Sequence, residues 1–446
     1  MGHEVKRQMY GQKIECNHPL YHFKRQVWNS NVDRDPAVIF ECKNDEDVIR
    51  AVHYANKNGL KITVRGGGFH PAGKSVKDGA VLIDLSQMND VHVDEISKTV
   101  TVGAGAKIYE VDTITQEYGL AVPLGMVSNI GVSGLALGGG LGYLRGKYGL
   151  TCENVVGVHV VTGEGKLLYV NRFEHAELFW SIRGAGENFG IVTKLEMNLH
   201  PVGRHVLGID VLYDFKDLQK IIKRVEEYRQ SAVDEVSFNI AISKGDNGEV
   251  HIRLIGMYVG ELNLLVEREI IQPLLEFATP IIDNTEILLY TDMQKKFDSL
   301  VGNSFAIEGI SLFFEELGDE VVQMLISGLE KANGNVVVHL LEIHGKVNRI
   351  SKYETAFAIR DASYLLVIDA DIGSDPVHTK LWVQEMYDML LPYSYKQVSY
   401  LNSSKVSEEV IQNSYSCIIS QLVKLKLEYD PDNLFCSEHK LLDRKR

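Results

Sequence analysis

Short apolar runs alternate with amphipathic ones along the first third of the chain. Ala37 to Phe40 reads as a strand, bounded by polar and turn residues. Val48, Ala51, Val52 and Ala55 then recur at helical spacing. Asn44 stands where a cap accepts a backbone N–H, Asp47 falls three residues on, and Gly59 marks the stop. Lys61 to Val64 predicts a second strand, and Ala80 to Leu85 a third after the turn signal Asp78-Gly79. Thr99 to Gly105 alternates as a strand, and Ile108, Val111 and Ile114 keep a helical period from Ala106 to Tyr118, before Gly119. Later, VHIRLIGMYV and YLLVIDADI predict strands, and DEVVQMLISGLEKANG predicts a helix. Such a mixed order predicts an α+β protein.

At 446 residues the chain exceeds what one hydrophobic core holds, which implies two or three folding units. Hydrophobic residues at 45% and charged ones at 24% match an ordinary globular protein that folds throughout. Acidic residues number 60 against 46 basic, a formal charge of -14, which argues against nucleic acid and anionic membranes as partners. No apolar run approaches the ~18 residues of a membrane span, and MGHEVKRQMYGQ has no apolar stretch of a signal peptide. Lys6 occupies the place where lipidation of Gly2 needs Ser or Thr. A cytoplasmic chain is expected. Five cysteines, Cys16, Cys42, Cys152, Cys417 and Cys436, are odd in number and lack a C-x-x-C pair, so no disulfide framework is expected. His18 and His22 flank Pro19 and give no zinc pattern.

The stretch VRGGGFHPAGKS, residues 64 to 75, satisfies the phosphate-loop pattern through Gly68, Gly73, Lys74 and Ser75. A phosphate loop must open into a helix whose first N–H groups face the phosphates. Here VKDGAVLIDL follows, a turn and then a strand, so the triphosphatase reading fails. Two further glycine-rich segments, residues 125 to 142 and 183 to 193, follow predicted strands. Gly103-Ala-Gly105 and Gly184-Ala-Gly186 lack the spacing of the ordinary dinucleotide fold. Glycine lets backbone approach a ligand closely, so the three segments together suggest a large cofactor held by main-chain N–H groups.

In order, WNSNVDRDPAVIFECKNDEDVIRAV, VRGGGFHPAGKSV, LGGGLGYLRGKYGLTCENVVGVHVVTGEGKL, HAELFWSIRGAGENFGIVTKLEMNLHPVG, SYLN and KLKLEYDPDNLF resemble the vanillyl-alcohol-oxidase (PCMH) type of FAD-linked oxidoreductase, in its berberine-bridge-enzyme-like branch. The resemblance is weaker between residues 204 and 395. It implies an FAD-binding domain over 1–203, a substrate domain with an antiparallel sheet flanked by helices over 204–395, and a return to the FAD domain over 396–446. It places Arg65, Gly66, Gly67 and Gly68 around the FAD pyrophosphate, with Lys74 and Ser75 bystanders to the diphosphate itself and Ser75 still counted among the cofactor-binding residues. Gly125, Val127, Ser128, Gly131, Gly134 and Leu135 join them, and Gly138, Gly139, Gly140 and Gly142 press on the ring and pyrophosphate. Asn154, Gly190, Ile191 and Val192 hold the flavin and adenosine parts, and Tyr143 matches the gate for oxygen. Phe69 stands where members carry a covalently bonded His, and Val127 where many carry a second anchor, Cys. Non-covalent FAD is therefore expected, with His70 as the covalent alternative. Cys152 reads as packing.

Oxidation by a flavin moves a hydride to its nitrogen N5 while a base takes a proton from the substrate. The resemblance gives that place to Tyr400 in Tyr400-Leu401-Asn402, and an extended segment would turn Tyr400 and Asn402 to one face. Asn402 is expected to orient the flavin or the tyrosine. Tyr393 and Tyr395 are nearby substitutes, and Arg360 and Asn348 are weaker pocket candidates. The implied function is oxidation of an alcohol, sugar hydroxyl or natural-product intermediate, with cyclisation a possible outcome and oxygen or another molecule as electron acceptor. The alternative is a flavin-binding protein with a non-redox cyclase role or a structural one.

Overall fold

The computed structural model describes residues 11–245, 247–301, 306–373, 375–403, 407–435 and 441. Gly2, Lys6 and Cys436 lie outside them. Three parallel strands, Val38–Glu41, Val81–Asp84 and Ile62–Arg65, form a small sheet in that order, with Gln12–Ile14 antiparallel on its edge. The helix Asp45–Asn58 covers it with Val48, Ala51, Val52 and Ala55. Asn44 Oδ1 accepts the N–H of Asp47 at 3.0 Å, and Gly59 closes the helix at φ +62°, as the sequence pattern requires.

A second sheet of five antiparallel strands orders them Val91–Asp94, Thr99–Gly103, Ile191–Asn198, Val155–Val161 and Leu167–Asn171. Ala176–Ala185 and the C-terminal helix Ile419–Tyr429 pack on it, with Leu422 and Leu425 in one core with Val102 and Leu195. Asp430 ends that last helix, and its carboxylate accepts from Leu434 N at 2.7 Å and Phe435 N at 3.1 Å. Phe435 then pairs with Ile62 beside the parallel sheet.

The third sheet has eight antiparallel strands, among them His205–Asp214, Val250–Tyr258, Val236–Lys244, Val336–Glu342, Tyr364–Asp371 and Ile307–Phe314 in spatial order. Ile240, Ile242, Val338, Leu340, Leu366 and Ile368 face helices Leu218–Arg229, Asp319–Lys331 and Pro376–Leu390 in one core. Each such buried aliphatic side chain contributes ~1.5–3 kcal/mol. The period of two turns Asn239, His339, Leu341, Val367 and Asp369 to the other face. Val337 pairs with Asp369 and His339 with Val367, so His339 and Asp369 are diagonal neighbours.

Two elements differ from their sequence patterns. The helix expected over 106–118 is Ile108–Thr115 followed by a tighter turn Gln116–Tyr118, drawn in before Gly119 at φ +66°. Tyr400 and Asn402 do not lie on a strand: Ser403 N donates to Tyr400 O at 3.0 Å, and this turn brings the two side chains together.

Candidate active site and cofactor cavity

The three glycine segments converge. Gly67 lies so close to Gly131 that a Cβ on it would stand 2.5 Å from the Gly131 nitrogen, and one on Gly66 would stand 2.6 Å from Ser133 Oγ. Gly68 turns the chain at φ +67°. The backbone N–H groups of Gly66, Gly67, Gly68 and Phe69 donate to no acceptor among the described residues, which makes a nest for an anion. This loop lines a cavity of ≈ 380 Å³, a size that suits a small-molecule ligand.

Gly125, Val127, Gly131, Gly134, Leu135 and Gly138 form one wall, and Gly190, Ile191 and Val192 form another. Leu341, Leu365 and Val367 of the eight-stranded sheet roof it, with His339 and Asp369 further along the same face. Tyr400 to Ser403 close the remaining side. Four observations fit an FAD group: the N–H nest for its diphosphate, apolar walls for a flat ring, open space where Gly134 lacks a Cβ, and Ser75 Oγ, buried without a hydrogen-bond partner among the described residues.

No helix follows Gly73-Lys74-Ser75, which removes the geometry of a phosphate loop. Lys74 is more than a bystander, because it lines the cavity and its ammonium donates to Leu401 O at 2.8 Å. His70 also lines the wall. Its Nδ1 accepts from Ala72 N at 3.0 Å, so Nε2 carries the proton and donates to Leu401 O at 3.0 Å. Phe69 stacks on Trp28, with ring centroids 4.5 Å apart and planes 17° from parallel.

Several residues expected against the cofactor sit off its walls. The Arg65 guanidinium turns to Asp84 Oδ2 at 2.6 Å and to Gln26 O at 2.8 Å, bracing the loop from behind. Ser128 donates from its N to Asp298 Oδ1 at 2.8 Å and from its hydroxyl to Oδ2 at 2.5 Å. The missing side chains of Gly139, Gly140 and Gly142 make room for Phe357, Thr151 and the Leu124 carbonyl, and these three glycines do not line the cavity. Gly138 alone of the four lines the cavity, close to Asn402. Tyr143 is buried among Ile255, Met257 and Phe297, so its bulk fills core and not the cavity. Asn154 donates to Tyr148 O at 3.0 Å and Leu150 O at 2.8 Å. Arg360 pairs with Glu153, and Asn348 donates to Arg360 O at 2.6 Å and Ala362 O at 2.9 Å, so both hold a loop together. Tyr395 donates to Asp361 Oδ2 at 2.9 Å and Tyr393 is exposed; neither lines the cavity. Cys152 is fully buried, and burial pushes its thiol up to about 12.

Tyr400 and Asn402 do line the cavity. The Tyr400 oxygen accepts from Gly140 N at 3.0 Å and from Asn402 Nδ2 at 3.3 Å, and Asn402 also donates to Leu135 O at 3.1 Å. Burial outweighs these donors and raises the phenol to about 12. The sheet supplies two residues that the sequence alone did not single out. Burial lowers His339 to about 4 and raises Asp369 to about 7. Their signal was the polar interruption of an apolar strand, at the Asp369 position of YLLVIDADI; a strand's register is needed to see which face it joins.

An FAD binding domain model matches residues 36–171. An FAD-linked oxidoreductase of Dictyostelium discoideum is 30% identical over 415 residues, covering 92% of this chain and 89% of that one. The (R)-6-hydroxynicotine oxidase of Paenarthrobacter nicotinovorans is 28% identical, covering 92% of each. The crystal structure of 6-hydroxy-D-nicotine oxidase from Arthrobacter nicotinovorans superposes with a TM-score of 0.86 at 25% identity, over 97% of this chain and 98% of that one.

Proposed function

Because this chain belongs to the FAD-linked oxidoreductases of the vanillyl-alcohol-oxidase (PCMH) and berberine-bridge-like superfamily, we propose that it holds FAD without a covalent bond and oxidises an alcohol, a sugar hydroxyl or a natural-product intermediate beneath the eight-stranded sheet. The observation that carries this reading is the run of N–H groups from Gly66 to Phe69, which meet no acceptor among the described residues and line a cavity roofed by a mixed polar and apolar sheet face. When bound, FAD supplies the acceptor for a hydride.

The chain's residues supply position and proton control. Gly66 to Phe69 would hold the diphosphate, Gly134 would leave room for the cofactor, and the apolar Val127 and Leu135 would line its cavity. Phe69 offers no atom to bond covalently, and both His70 nitrogens already serve the loop, which supports release of the flavin on denaturation. Tyr400 is the residue proposed to face the reacting group. With its phenol raised to about 12, it enters the reaction protonated and holds the substrate's oxygen as a hydrogen-bond donor, and the hydroxyl proton that alcohol oxidation releases passes to solvent water. The role of base at neutral pH needs a cation beside it, and no described Lys or Arg touches the hydroxyl. Asn402 fixes the phenol and ties it to Leu135.

Anaerobic mixing with panels of alcohols, sugars and amines tests the reading. The expected result is bleaching of the flavin by members of at least one panel, and Tyr400→Phe should slow it. A flavin-loaded protein that no panel bleaches contradicts the oxidative function.

A further inference from the structure

In the stretch from Gly125 to Ser128, the first three residues line the cofactor cavity and Ser128 is turned away from it. The ties that hold this stretch come from far along the chain. Gln294 Nε2 donates to Gly125 O at 3.1 Å and to Asp112 Oδ2 at 3.0 Å, with both side chains buried. At the other end, Asp298 accepts from Ser128 N at 2.8 Å through Oδ1 and from its hydroxyl at 2.5 Å through Oδ2. The Ser128 carbonyl accepts from Tyr109 N at 2.9 Å, so each polar group of this buried serine serves position rather than a ligand.

Gln294 and Asp298 belong to one short segment. It leaves the eight-stranded sheet at Glu286–Leu289, which pairs with His205–Asp214, and begins with the helix Tyr290–Met293. Lys296 fixes it back to the sheet: its ammonium lies 3.3 Å from Asp210 Oδ2, and Arg253 holds the same carboxylate at 2.7 and 2.8 Å. Phe297, between the two ties, lines the cavity with its ring centroid 5.6 Å from that of His339. A segment braced on the sheet thus grips both ends of one wall of the cavity. Of the two grips that of Asp298 is the stronger, since a carboxylate accepts about twice as strongly as a neutral oxygen.

We infer that Asp298 is a positioning residue for the cofactor: by holding Ser128, with Gln294 on Gly125, it keeps Val127 in the wall that FAD meets. This rests on the proposed binding of FAD in that cavity. It adds that the hold on the cofactor depends on a carboxylate 170 residues beyond Ser128, in a segment braced on the other sheet. A loop freed of the grip samples positions that do not fit the ligand, and affinity falls in proportion to the time spent in the fitting one. A carboxylate that served stability alone would move the melting temperature and leave that fraction unchanged.

Titration of FAD into the purified full-length protein freed of flavin, read by the change in flavin fluorescence, tests it. Asp298→Ala should raise the dissociation constant at least about tenfold. Asp298→Asn should bring it back to within about threefold of wild type, because the amide oxygen still accepts from Ser128 N and the amide nitrogen still meets the hydroxyl. Ser128→Ala, which removes one donor and keeps the main-chain bond, should fall between wild type and Asp298→Ala. An Asp298→Ala protein that binds FAD as tightly as wild type, or an Asp298→Asn protein as weak as the alanine variant, overturns the inference. If Asp298→Ala does not fold, Ser128→Ala decides, and an unchanged constant there overturns it. A wild type that takes up no flavin contradicts the parent proposal and this inference with it, whereas a yellow wild type with unaffected variants overturns this inference alone.

Discussion

Phe69 and His70 show how one step along a chain changes chemistry. The aromatic ring stacks on Trp28, and the imidazole bridges Ala72 to Leu401, so the position that resembles a covalent anchor is a prop and its neighbour is a strut. Replacing His70 with Ala should weaken FAD retention by loosening the contact to Leu401, yet leave the fraction of acid-soluble flavin unchanged; a fall in that fraction in the wild type alone would restore His70 as the anchor. Tyr400→Phe removes the oxygen that Gly140 N and Asn402 Nδ2 reach. Stopped-flow reduction of its flavin should slow by about 10²-fold, with the resting spectrum unchanged. Tyr400 and Asn402 were legible in the sequence as a short motif. Asp369 and His339 were not, because a residue inside a strand gains a face only when its neighbours are registered.

Between elements, the close approach is backbone to backbone. Gly67→Ala would place its Cβ 2.5 Å from the Gly131 nitrogen, which neither loop can yield cheaply. The expected outcome is a folded protein whose FAD dissociation constant rises at least about tenfold, read by fluorescence of released flavin. Gly134 makes the contrast, for a Cβ there meets nothing within 4 Å. Gly134→Leu should keep the thermal stability of the chain without FAD, or raise it through better helix propensity, and still lower flavin content. Equal flavin content in wild type and Gly134→Leu would move the cofactor away from this wall. The sequence revealed that glycine segments mattered and that no helix follows Lys74. It could not separate Gly138, which faces the cavity, from Gly139, Gly140 and Gly142, which admit Phe357, Thr151 and Leu124. Both uses demand the same missing side chain.

Across the whole molecule, the strand and helix alternation between residues 37 and 118 was legible because local periodicity there agrees with tertiary packing. The middle sheet was legible only as separate strands, since its order joins segments far apart in sequence. Burial also stores a pH dependence. Asp112, held by Gln294 Nε2 at 3.0 Å, is raised by burial to about 7 from an ordinary 3.8. Between about pH 4 and 7 the folded chain therefore holds a proton that the unfolded chain has released, so this group's stabilising contribution falls as pH rises through that window. Asp112→Asn should melt a few degrees above wild type at pH 8, and the gap should close toward pH 4; a gap independent of pH would assign the effect to packing.

The central claim is that the nest and the cavity beside it hold FAD without a covalent bond. The visible spectrum of the purified, FAD-reconstituted protein, taken before and after acid precipitation, tests this most directly. A flavin spectrum that passes entirely into the supernatant is predicted. Absorbance that stays with the pellet would contradict the non-covalent assignment, and a protein that takes up no flavin would contradict the site itself.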